Sequence, residues 1–264
     1  MTRAVTALLG SGFLFAALPG WASPFDGTWK GDPRSAVVNA QPDEIELKGG
    51  IYTCKTCIPA YSTPADGRFH PVADRVYWDE AAVTVVDDRT VKIDMKMAGA
   101  LIAENVRTVS ADGNSIKTSY GSSANGAGAL VEQSQTQLRV GKPLAGAHLI
   151  SGAWRADSSQ MVVSENALTI TLKIDGDRLH LTSPLGETLD ATLGGDYALI
   201  VGDPGKTRTK AALLAPDKLE LTDMREGKIV QVTTYTVARD GRTINVAWSD
   251  PRDGSSGSFT ATRI

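Results

Sequence analysis

The chain repeats itself, and the repeated unit is written in strands. "GTWKGD" at residues 27–32 returns as "GAWRAD" at 152–157. Further along, "RTVSADGNSIKTSY" (107–120) lines up with "YTVARDGRTINVAW" (235–248). In that frame Val109, Asp112, Gly113 and Ile116 each have an identical residue 128 positions later, at Val237, Asp240, Gly241 and Ile244. "DDRTVKIDMKMAG" (87–99) matches "PDKLELTDMREG" (216–227), and the ends "TQLRV" (136–140) and "TATRI" (260–264) match as well. An offset held over several segments marks a duplication, not shared composition.

Inside each copy the apolar residues alternate, as in "VKIDMKM" (91–97), "ALTITLKI" (167–174) and "RTINVAW" (242–248). Period-two patterning describes antiparallel strands with one buried face. Asp-Gly pairs such as Asp112-Gly113 and Asp240-Gly241 punctuate the runs, and such pairs favour tight hairpins. The expected fold class is therefore all-β. A meander of many short antiparallel strands hides its edges by curling into a barrel. The expected division is a first barrel over 23–140, a Gly/Pro/Ala-rich linker over 141–150, and a second barrel over 151–264.

Residues 1–22 read differently. Arg3, the apolar run from Ala4 to Leu18, and the small residues Gly20 and Ala22 have the order of a secretory signal peptide cut after Ala22. The run is too short and interrupted to span a membrane, which takes roughly 20 residues. The expected location is periplasmic or secreted, with no integral membrane segment after cleavage. A formal net charge of −3 gives no basic footprint for nucleic acid.

The repeated tryptophans fit barrel closure, because the first and last strands of a closed barrel are neighbours. The expected pairs are Trp29 with Arg139 in copy one and Trp154 with Arg263 in copy two, each guanidinium stacked on an indole. This Gly-x-Trp start with a terminal basic residue resembles the lipocalins and related calycin barrels. The chain is similar to a group of secreted bacterial lipocalin-like proteins of tandem architecture, many of which begin with a PF-x-GTWK segment, as in "PFDGTWK" (24–30), and carry a Y-x-C-x-x-C element, as in "YTCKTC" (52–57). The resemblance implies two tandem lipocalin-like barrels.

Cys54 and Cys57 are the only cysteines. In an exported chain they most simply pair as a small loop disulfide. A redox pair would want a helix N-terminus, and a zinc site would want two further ligands. Ile58 stands where a haem-attachment motif needs histidine. The aromatics of copy one gather around this loop. Tyr52, Tyr61, Phe69, His70 and Trp78 are the candidate ligand-binding residues, with packing beneath a long loop as the other reading.

No catalytic set, metal site or cofactor is legible. The expected function is passive binding of a small apolar ligand in a barrel cavity. The alternative is a non-catalytic module of the cell envelope, and a barrel-type isomerase or hydrolase comes third.

Overall fold

The computed structural model describes residues 23–264, so the signal peptide expected over 1–22 lies outside the described residues. The strands of copy one, with the strand that opens copy two, are β1 (Gly27–Asn39), β2 (Asp43–Lys48), β3 (Ile51–Cys54), β4 (Tyr61–Pro64), β5 (Phe69–Pro71), β6 (Glu80–Val85), β7 (Thr90–Met97), β8 (Ala100–Val109), β9 (Ser115–Ser122), β10 (Val131–Val140) and β11 (Gly152–Val163). A single 3-10 turn, Glu165–Ala167, leads into the rest. Those are β12 (Thr169–Asp175), β13 (Arg178–Thr182), β14 (Thr188–Thr192), β15 (Ala198–Leu199), β16 (Arg208–Ala215), β17 (Lys218–Arg225), β18 (Lys228–Val237), β19 (Thr243–Asp250) and β20 (Ser255–Arg263). The protein is all-β, as the alternation predicts, and forms two nearly closed antiparallel barrels of ten strands each.

The duplication holds down to irregularities. The β7–β8 hairpin turns through Ala98 and Gly99, both at positive φ, and the β17–β18 hairpin turns through Glu226 and Gly227 in the same way. A bulge sits between Met95 and Lys96 in the first hairpin and between Asp223 and Met224 in the second. The Asp-Gly turns are held by their own aspartates. Asp112 Oδ1 accepts the Asn114 amide at 3.0 Å, and Asp240 Oδ1 accepts the Arg242 amide at 2.8 Å.

The strand order corrects the expected division of the chain. Barrel one runs β4-β3-β2-β11-β10-β9-β8-β7-β6-β5, and barrel two runs β14-β13-β12-β1-β20-β19-β18-β17-β16-β15. Each copy's opening strand therefore lies in the other copy's sheet. Barrel one is the continuous stretch from β2 to β11, whereas barrel two is built from β1 together with β12 to β20. The two cores divide in the same way. One cluster holds Ile45, Tyr52, Val83, Ile93, Ile116 and Trp154, and the other holds Phe25, Trp29, Leu172, Leu219, Ile244 and Ala261.

Between β1 and β2 stand only Ala40, Gln41 and Pro42, and over them the chain passes from one sheet into the other. The segment expected as a linker, 141–150, instead joins β10 to β11 within barrel one and carries fully buried Ile150.

The barrels also touch. The Ala127 amide donates to the Leu185 carbonyl at 2.8 Å, and the Tyr77 hydroxyl donates to Asp203 Oδ1 at 3.2 Å. Gly126 and Gly202 pack so closely that a Cβ on Gly126 would lie 2.4 Å from the Gly202 carbonyl oxygen. Only glycine fits there.

Candidate ligand-binding cavity

Trp154 is fully buried, and its Nε1 donates to the Ile150 carbonyl at 2.8 Å; Trp29 repeats this with the Phe25 carbonyl at 2.8 Å. Arg139 lies 4.0 Å over the Trp154 ring, and Arg263 lies 4.6 Å over Trp29. The expected guanidinium–indole stacking occurs, but with the partners crossed: Arg139 pairs with Trp154 and Arg263 with Trp29. Strand exchange is the cause, since β10 neighbours β11 and β20 neighbours β1.

Each guanidinium also gathers backbone carbonyls, two of them from the segment leading to its tryptophan. Arg139 donates to Gly113, Ser151 and Leu149 oxygens at 2.6, 2.9 and 2.7 Å. Arg263 donates to Asp26 and Pro24 oxygens at 2.7 Å each. The glycine of Gly-x-Trp has two reasons to be there. Gly152 has φ +140°, and a Cβ on it would stand 2.8 Å from Arg139 Nη1.

The residues singled out around the cysteine loop fall into separate groups. Cys54 and Cys57 form the disulfide, with Cα atoms 5.5 Å apart, and buried Cys54 joins the barrel-one core. Tyr52 and Tyr61 have ring centroids 6.0 Å apart, and Trp78 packs edge-on to Tyr61 at 5.3 Å. Arg75 closes this stack 4.6 Å above Tyr61 and donates to the Pro59 carbonyl. Phe69 lies instead under Lys96, and His70 Nε2 meets Asp66 Oδ1 at 2.9 Å. Packing explains Tyr52, Tyr61 and Trp78, and none of the five lines the cavities described next.

The open space in barrel one lies along β8 to β11. β11 detaches from β10 there. Ser134 pairs with Val162 and Thr136 with Asp157, so four residues, 158–161, stand opposite Gln135 alone. A cavity of about 250 Å³ opens at this break, lined by Asn105, Arg107, Thr118, Tyr120, Gln133, Ser134, Gln135 and Met161. A second of about 560 Å³, at the crossing into β2, shares Gln135 and adds Gln137, Asp43, Trp154 and Arg155. A polar chain joins the two. Thr118 Oγ1 donates to Gln137 Oε1 at 3.3 Å, and Gln137 Nε2 donates to Asp43 Oδ2 at 2.7 Å. Arg107 Nε donates to Asn105 Oδ1 at 3.2 Å, while its buried Nη1 has no hydrogen-bond partner.

Barrel two has the same break and fills it. Asp32 pairs with Thr260 and Val37 with Ser258, leaving 33–36 opposite Phe259, the residue at the place of Gln135. The matching registers put Tyr235 where barrel one has Arg107, Val246 where it has Thr118, and Ala261 where it has Gln137. What remains is an apolar space of about 120 Å³. Phe259 reaches in because Gly31 lets it: a Cβ on Gly31 would stand 3.2 Å from the Phe259 ring. The matching residue in barrel one is Ala156, so one small difference between "GTWKGD" and "GAWRAD" follows from which barrel is plugged.

Barrel two also holds a half-buried acid in contact with a threonine. Asp223 accepts from Thr209 Oγ1 at 2.6 Å, and burial pushes its carboxyl above the usual range. A raised folded value means a contribution that is fully present below the unfolded carboxylate value of about 4 and lost as pH climbs through the folded one. Asp223→Asn should therefore raise the melting temperature at pH 7, with the gain shrinking toward pH 4. Melts of both proteins across that range check it; an equal gain at both pH values contradicts it.

Among the described residues no helix is long and apolar enough to cross a membrane, and no cluster of three or more His, Cys, Asp or Glu could hold a metal ion. No protein-family model matches the chain, and no curated protein matches it in sequence.

Proposed function

We propose that this is a small-molecule-binding protein of the lipocalin-like kind, acting outside the cytoplasm, with its site in the cavity of barrel one. The observation that carries the reading is the contrast between the two barrels. One scaffold is used twice; its interior is plugged by Phe259 and Tyr235 in one copy and left open and polar in the other. Plugging is thus available to this fold, and barrel one departs from it. The mechanism is passive. A preformed cavity removes the ligand from water while a few side chains fix its orientation, with Met161 and the Tyr120 ring offering apolar contact and the amides and hydroxyl polar contact. The purely apolar space in barrel two, about 120 Å³, is small for the apolar ligand expected from the sequence. Residues 1–22 support export.

Native mass spectrometry of protein purified without unfolding tests the reading. A small adduct at up to one equivalent is expected, released by acid and lost when Gln135→Phe plugs the break as Phe259 does. A clean apo mass, unchanged on incubation with a cell extract, contradicts it and favours an envelope module.

A further inference from the structure

Arg107 is the one charged side chain lining the smaller cavity of barrel one, and no carboxylate lines that cavity with it. Its Nη1 is buried without a partner. The acid of the adjoining polar chain, Asp43, is already engaged by Gln137. A buried guanidinium donor with nothing to donate to is costly, because its lost hydration is not replaced. The scaffold does not demand it, since the twin position in barrel two holds Tyr235.

We infer that the cavity of barrel one takes a small organic anion whose oxyanion head is held by Arg107, the rest being read by Thr118, Gln133 and Gln135. This rests on the binding reading above and names the ligand's chemistry. A guanidinium presents its donors in a planar fork that matches a carboxylate in two places at once. A phosphate monoester offers the same oxygens. A volume of about 250 Å³ lies at the small end of ligand cavities, which fits a compact acid and not a long acyl chain. Gln137, which is held in turn by Asp43, accepts from Thr118 and so fixes that lining residue.

NMR of the full chain tests this, following the Arg107 side-chain Nε–H and the Gln133 and Gln135 amides. The probes are acetate, succinate, citrate and benzoate, then glycerol 3-phosphate, then acetamide and benzamide as uncharged counterparts. Saturable shifts at these groups with a carboxylate, and none with the amides, are expected; a response to the phosphate ester alone assigns a phosphate head. Arg107→Tyr, the residue of barrel two, should weaken the best anion at least tenfold, and Arg107→Lys, which keeps the charge and loses the fork, by less. Cooperative melting of each variant separates lost binding from lost folding. If no anion moves these signals while a native adduct is present, the anion assignment falls and the binding reading stands. With neither shift nor adduct, both fall.

Discussion

Arg139→Ala should cost about 3 kcal/mol, the larger loss of the two barrel clasps. The guanidinium satisfies three backbone carbonyls and covers a fully buried indole. Two of those carbonyls flank Ile150, which has no exposure through which water could replace the lost donors. Hydrogen bonds from a charged donor are worth roughly 1.5–3 kcal/mol each and do not add fully. Stacking over an indole adds about 0.5–2 kcal/mol. Against this stands the cost of burying the charge, visible as an Arg139 pKa lowered by desolvation. At about 2–4 °C per kcal/mol, the melting temperature should fall by roughly 6–12 °C, in the transition belonging to barrel one if the two separate. Arg263→Ala removes two carbonyl bonds at a more exposed site and should cost less. The crossed pairing makes a sharper demand. In double-mutant cycles Arg139 should couple to Trp154 and be additive with Trp29. Coupling to Trp29 instead contradicts the strand exchange.

Much of the fold is legible in the residues. Alternation in "VKIDMKM" and "RTINVAW" marks strands, the Asp-Gly pairs mark their turns, and the echo of Gly-x-Trp marks where each barrel is pinned. Which arginine meets which tryptophan is not legible. The two copies are nearly alike in those segments, so either pairing satisfies local chemistry.

The site was partly legible in the wrong place. Tyr52, Tyr61 and Trp78 form the cluster that the sequence suggests, but Arg75 and the core use up their surfaces. Arg107, Thr118 and Gln137 give no such signal, because single polar residues in alternating strands look like the solvent face. Their signal lies between the copies. Aligning 107–120 with 235–248 sets Arg107 against Tyr235 and Thr118 against Val246, and aligning the final strands sets Gln137 against Ala261. The positions that turn apolar in one copy face inward in both, so a polar residue at such a position is an interior group. Comparing a duplicated chain with itself separates what the scaffold needs from what one copy adds.

The opening strand of each copy lies in the other barrel, which makes the hollow barrel one continuous segment. Every buried residue of its core lies between Ile45 and Trp154. Residues 43–163, roughly 120 in number and within ordinary domain size, contain all ten of its strands. Residues 23–140, the copy as the repeat divides it, lack β11 and with it Trp154, the indole that Arg139 covers. The direct measurement is urea unfolding, with two-dimensional NMR, of these two fragments expressed separately. The exchange predicts a dispersed spectrum and one cooperative transition for 43–163, and an unfolded or aggregating 23–140. A folded 23–140 beside an unfolded 43–163 would contradict it.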